Sequence, residues 1–146
     1  MDVSAIDGVI VTPEKQISHP KGDLFHVMKQ SSDGFVGFGE TYLSTVGHDV
    51  IKGWKCHQRV TLNLVVPMGR IRFVVCERTE SAGGGGRFFE IEIGGENHVR
   101  LTVKPGLWVA FQGRTSGTNM LLNVIDEEHD PTEAENLDLA EIPYEW

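Results

Sequence analysis

From position 55 to 63 the chain places Lys55, His57, Arg59, Thr61 and Asn63 at every second residue, with Cys56, Gln58, Val60 and Leu62 between them. A strand repeats its side-chain direction every two residues, so a single pleat would carry an ammonium, an imidazole, a guanidinium and two small neutral groups toward one face. Imidazole is the side chain whose ordinary titration lies nearest neutral pH. That mixture suits the wall and mouth of a polar ligand pocket; the alternative is a strand face washed by solvent. Arg70 and Arg72 share a face of the next apolar run. Antiparallel pairing through the Pro67-Met68-Gly69 turn would set them beside the row as a local anion site, the alternative being scattered surface arginines.

The elements that must position these groups read as strands throughout. Short runs rich in branched and aromatic residues recur at 8–11, 24–29, 35–43, 50–53, 60–66, 70–77, 88–93, 98–103, 107–112 and 120–125. Gly-rich and Asn-containing separators between them carry hairpin chemistry, and residues 83–86, four glycines, read as a hairpin tip. Many short strands with such turns predict an all-β sandwich or closed barrel, with a jelly roll favoured. One helical turn is expected late, where Asp130 would cap Pro131-Thr132-Glu133. The closing Ile142-Pro143-Tyr144-Glu145-Trp146 ends in two aromatics and is expected to pack back on the barrel.

Composition limits what such a barrel does. At 146 residues the chain is expected to form one domain, 1–146, with residues 126–146 an acidic C-terminal segment. A net charge of -8 argues against nucleic acid and anionic membranes as partners. Nine of the acids, from Asp126 to Glu145, crowd that last segment, which leaves the rest nearer neutrality. Cys56 and Cys76 sit in apolar runs outside any C-x-x-C unit, so no disulfide or zinc framework is expected. The first twelve residues lack a basic start and a long apolar run, and no stretch reaches the length of a bilayer span, so cytoplasmic residence is the expectation.

No metal and no cofactor are expected either. Metal sites in barrels of this class bring several imidazoles and a carboxylate together, commonly as His-x-His followed later by Pro-x-Gly and another His. Here Lys55-Cys56-His57 offers one imidazole beside a cation, and Lys104-Pro105-Gly106-Leu107-Trp108-Val109 puts valine where the later ligand would fall.

The segment 50–59, the strand 70–75, Pro105-Gly106-Leu107-Trp108 and the closing Ile142-Pro143-Tyr144-Glu145-Trp146, with Gly22-Asp23-Leu24-Phe25 and Gly39-Glu40-Thr41-Tyr42 earlier, resemble dTDP-4-dehydrorhamnose 3,5-epimerase and its relatives. The resemblance implies a jelly-roll cupin barrel (a double-stranded β-helix), a homodimer and a metal-independent isomerase. Such an enzyme would epimerise or ketoisomerise a dTDP-4-keto-6-deoxy hexose by general acid/base catalysis, in deoxysugar or surface polysaccharide biosynthesis. A base on one face of the sugar and an acid on the other are what an enolate intermediate requires.

Carried over residue by residue, the resemblance makes His57 the preferred base with Lys55 beside it, and aligns His129 with the family's tyrosine proton donor. Lys21 and Lys52 fall where the family carries cationic nucleotide contacts; Arg59, Thr61, Asn63, Arg70 and Arg72 complete the expected substrate-binding set. The chain departs from the family at Thr61, in place of an enolate-stabilising lysine, and at Val109, in place of a second histidine. Those departures support an alternative of another class, a non-catalytic cupin that binds a sugar or nucleotide sugar.

Overall fold

The computed structural model describes residues 2–3, 5–79 and 86–146. Its strands are β1 (Asp2–Val3), β2 (Val9–Pro13), β3 (Gln16–Ile17), β4 (Leu24–Phe25), β5 (Glu40–Val46), β6 (Ile51–His57), β7 (Leu62–Met68), β8 (Arg70–Arg78), β9 (Gly86–Gly94), β10 (Val99–Val103), β11 (Trp108–Gly113), β12 (Asn119–Ile125) and β13 (Ala134–Asn136). Two antiparallel sheets, β1-β2-β10-β7-β12-β5 and β13-β6-β11-β8-β9, face one another as a jelly-roll cupin barrel, and β3 with β4 forms a separate ribbon.

Period-two alternation builds the interior. On β8, Ile71, Phe73 and Val75 point into the barrel, where they meet Leu62, Leu64 and Val66 of β7 and Leu121 of β12. Val74 and Cys76 of β8 point the other way, into a second apolar cluster on the outer face of the five-stranded sheet, with Trp54, Cys56 and Trp108. Ile142 is fully buried in that cluster, and Tyr144 and Trp146 pack against it. Burial on both faces explains the unbroken apolar run Phe73–Cys76 within β8.

Several expectations need correction. β7 and β8 lie in different sheets: β7 pairs with β10 and β12, β8 with β11 and β9. The turn after Pro67 is therefore a corner between sheets and not a hairpin. Of the run 24–29 only Leu24–Phe25 is strand, and the run 35–43 becomes a strand at Glu40–Val46. Residues 26–39 cross the outer face of the six-stranded sheet instead. At Gly34, where φ is 84°, a Cβ would sit 2.5 Å from Thr102 Oγ1, so the crossing depends on glycine there.

No helix forms after Asp130: its carboxylate accepts the Thr132 backbone N–H and hydroxyl in a tight turn, and the short 3-10 turn comes later, at Leu139–Glu141. Of the expected glycine tip, residues 83–85 lie outside the described residues and Gly86 begins β9. Among the described residues no helix is long and apolar enough to cross a membrane.

Candidate active site

A cavity of about 500 Å³ opens between the two sheets. Its floor is apolar: Leu62 and Leu64 of β7, Val109 and Phe111 of β11 and Leu121 of β12. Its walls are polar. From the five-stranded sheet β6 contributes Lys52, Gly53, Lys55 and His57, and β13 contributes Asn136; from the facing sheet come Glu40, Tyr42 and Ser44 of β5 and Asn123 of β12, with His129 in the loop beyond. Among the charged lining residues Lys52 and Lys55 outnumber Glu40, so the cavity favours an anion although the chain as a whole carries -8.

Strict alternation would send Lys52 and Lys55 to opposite faces, yet both line the cavity. A bulge resolves this: β11 residues Val109 and Phe111 pair with Lys55 and Lys52, so β6 carries an extra residue around Gly53. A Cβ on Gly53 would lie 2.4 Å from the Ala110 Cβ; glycine lets β6 press against β11 and shift its parity. The Lys52 ammonium donates to the Thr45 carbonyl at 2.6 Å, reaching from one sheet to the edge strand of the other.

His57 ends β6, and β13 pairs antiparallel with it, Ala134 opposite His57. The residue just before β13 is Glu133, whose Oε1 lies 2.6 Å from His57 Nδ1. Its Oε2 accepts the backbone N–H groups of Arg59 at 2.7 Å and Val60 at 2.9 Å. Burial by itself would raise the Glu133 carboxyl, but the Arg59 N–H, the His57 ring and the Val60 N–H together hold it down to about 2. The carboxylate is thus ionised at neutral pH and takes only hydrogen bonds, so His57 presents Nδ1–H to it. In the neutral ring this tautomer leaves the lone pair on Nε2.

Tyr42 lines the same cavity as His57, from the facing sheet. The Asn123 amide donates from Nδ2 to the Tyr42 oxygen at 2.9 Å, and burial is the main cause that pushes the phenol above its ordinary range. It is therefore neutral, with its proton, at physiological pH. His129 stands in the same wall at the exposed rim, its backbone N–H donating to Glu40 Oε1 at 3.4 Å.

The structure thus brings Lys52, Lys55, His57 and His129 of the expected residues to one cavity, and the others elsewhere. β6 stops at His57, residues 58–61 bend, and β7 restarts with Leu62 and Leu64 inward. That break turns Arg59, Thr61 and Asn63 away. Arg59 is exposed and pairs with Glu127 and Asp130; the Thr61 N–H donates to Asp126; Asn63 is buried outside the cavity, accepting from Arg100 and Thr102.

Arg70 and Arg72 alternate with barrel-filling Ile71 and Phe73, which puts them on the outer side. Arg70 pairs with Glu92. Arg72 donates to Gln112 and lies over the Trp146 ring. Lys21 sits in the exposed loop between β3 and β4, away from the cavity lining. Among the described residues, no three His, Cys, Asp or Glu side chains converge as a metal site would require.

Glu133, Tyr42 and Asn123 are site residues that reading the sequence passed over. Glu133 is one acid among many in a charged tail. Tyr42 alternates with Glu40 and Ser44 on a strand, a faint polar stripe that points to the cavity only once the facing sheet is known.

No family model matches the sequence, and no curated protein matches it. Solved structures do. A dTDP sugar isomerase from Desulfovibrio desulfuricans G20 is 28% identical with a TM-score of 0.87, the match covering 97% of this chain and 92% of that one. A dTDP-4-dehydrorhamnose 3,5-epimerase from Sulfolobus tokodaii is 21% identical with a TM-score of 0.82 over 97% of this chain and 84% of that one. A 3,4-ketoisomerase double mutant from Thermoanaerobacterium thermosaccharolyticum, solved in complex with TDP, is 21% identical with a TM-score of 0.74, covering 89% and 88%. The chain has the fold of these proteins across nearly its whole length.

Proposed function

We propose that this chain is a nucleotide-sugar isomerase that moves protons beside the keto group of a dTDP-4-keto-6-deoxy hexose, as an epimerase or a ketoisomerase. The observation that carries the proposal is the His57–Glu133 pair opening onto a cavity whose opposite wall holds a protonated tyrosine. The resemblance to a dTDP sugar isomerase at 28% identity supports the substrate class.

The chemistry follows from the positions. His57 Nε2 removes a proton from a carbon next to the ketone, and the C–H electrons pass into the carbonyl to give an enolate. Glu133 holds the ring in the tautomer that leaves Nε2 bare and balances the imidazolium that forms. Lys55, two residues along the same pleat, supplies a cation toward the enolate oxygen, a role the residue at 61 does not fill. Tyr42 then gives its O–H proton to the enolate from the facing sheet, and solvent restores both groups. His129 and Glu40 meet the sugar at the rim, Lys52 meets the diphosphate, and the apolar floor takes the 6-deoxy carbon. None of these steps calls for a metal.

The proposal includes a homodimer, supported by apolar side chains left in water on Val36, Phe38 and Leu43. Sedimentation as a monomer at working concentration would remove that part alone.

The test is solvent deuterium. Incubated with TDP-4-keto-6-deoxyglucose in heavy water, the protein is expected to wash label into the carbons beside the ketone, and His57→Gln to abolish the exchange. Binding of TDP without any exchange would replace the enzyme by the sugar-binding cupin, which the apolar Val109 in the cavity floor favours.

A further inference from the structure

Asn123 is a buried amide between the inward-facing apolar residues Leu121 and Ile125 of β12, and only 2% of it is exposed. A buried amide is costly unless its hydrogen bonds are met, and here they are met in one sense only. The Asn63 backbone N–H donates to Asn123 Oδ1 at 3.1 Å, which turns the amide oxygen toward β7 and the NH₂ group toward β5. On β5 its register partner is Tyr42, and Nδ2 donates to the phenol oxygen at 2.9 Å. The Asn123 backbone carbonyl also accepts the Thr41 hydroxyl, so side-chain hydrogen bonds tie the two strands together at this register position.

We infer that Asn123 is a positioning residue that occupies the Tyr42 oxygen as an acceptor and so leaves the phenol proton pointing into the cavity. Among the described residues no acceptor takes that proton. The inference rests on the reading of Tyr42 as proton donor and adds what sets the direction of the transfer. When the enolate carbon takes the proton, the C–H bond forms as the O–H bond breaks, and the charge left on the phenolate oxygen meets an N–H already aimed at it. Asparagine does what leucine could not, and aspartate would do the reverse: its carboxylate would still accept from Asn63 but would also accept the Tyr42 proton, turning it away from substrate.

Tyr42 and Tyr144 are the only tyrosines, so Tyr144→Phe leaves one phenol to titrate. In that background, ultraviolet titration of tyrosinate is expected to move upward with Asn123→Asp, by about a unit or more, because a donor to the phenolate is replaced by a negative charge. No movement would overturn the inference. The second arm is turnover of TDP-4-keto-6-deoxyglucose: Asn123→Asp should lower kcat by roughly tenfold or more with KM little changed, and should have no further effect once Tyr42→Phe is present.

Additive losses in that cycle, or an unchanged kcat, would overturn the positioning role. If Asn123→Asp melts below the assay temperature, Asn123→Ser, too short to reach the phenol, is expected to give a smaller upward titration from loss of the donor alone, and its failure to do so counts against the inference. A wild-type protein without turnover would end the functional proposal, and the titration would still decide whether Asn123 orients Tyr42.

Discussion

The Glu133 carboxylate lies 2.6 Å from the imidazole of His57 although 76 positions separate them in the chain. Only 4% of the Glu133 side chain is exposed, against 15% for His57, so the pair is screened from water on the carboxylate side and open on the cavity side. One short strand, β13, creates the relationship by pairing with β6 and delivering the preceding residue beneath the ring.

Glu133→Gln keeps the shape of the pair and removes its charge. The amide can then offer N–H to Nδ1 and favour the wrong tautomer, with the proton on the nitrogen that must act as base. The expected outcome is a loss of deuterium wash-in on the order of a hundredfold or more, the range of a lost acid–base contribution, with binding of TDP by calorimetry unchanged.

The same carboxylate makes stability depend on acid. Its value in the folded chain is about 2 against an ordinary 4.5, so the folded state holds the ionised form more tightly than the unfolded chain does. The contribution is complete above about pH 4.5, is lost as pH falls toward 2, and amounts to roughly 3 kcal/mol at full strength. Thermal melts from neutral pH downward should fall less steeply for Glu133→Gln than for the wild type across that window.

Lys52→Ala should weaken binding of TDP by about tenfold, the size of one charge-assisted hydrogen bond, and flatten the salt dependence of binding. Lys52 is exposed and its ammonium donates to the Thr45 carbonyl, so the melting temperature is expected to change little. Calorimetric titration at two salt concentrations checks both, and unchanged affinity would remove Lys52 from the diphosphate site.

Arg100 is fully buried on the outer side of the six-stranded sheet. It pairs with Glu14 at 3.0 Å and donates to Asn63 and to the carbonyls of Val27 and Asp33. Arg100→Leu would leave the Glu14 carboxylate and the carbonyls of Val27 and Asp33 without this donor, while Asn63 keeps the Thr102 hydroxyl; the loss is about 3–5 kcal/mol. Urea denaturation should show it as a lower midpoint, and limited proteolysis should cut first within residues 26–39, the crossing segment that Arg100 ties down.

By itself, the sequence determined the all-β class, the shared face of Lys55 and His57 and the absence of a second imidazole at Val109, because period-two alternation and residue type are local properties; that the face points inward is decided by the facing sheet. It misplaced Arg59, Thr61 and Asn63, since a bend at residues 58–61 resets the parity on which the prediction depended. It misplaced Arg70 and Arg72, since a corner between sheets looks like a hairpin turn when partners are unknown. Only the tertiary structure decided that Glu133 serves His57 and that Asn123 holds Tyr42. Those contacts join strands distant in the chain, and a carboxylate or amide shows its partner only when the strand pairing that buries it has formed.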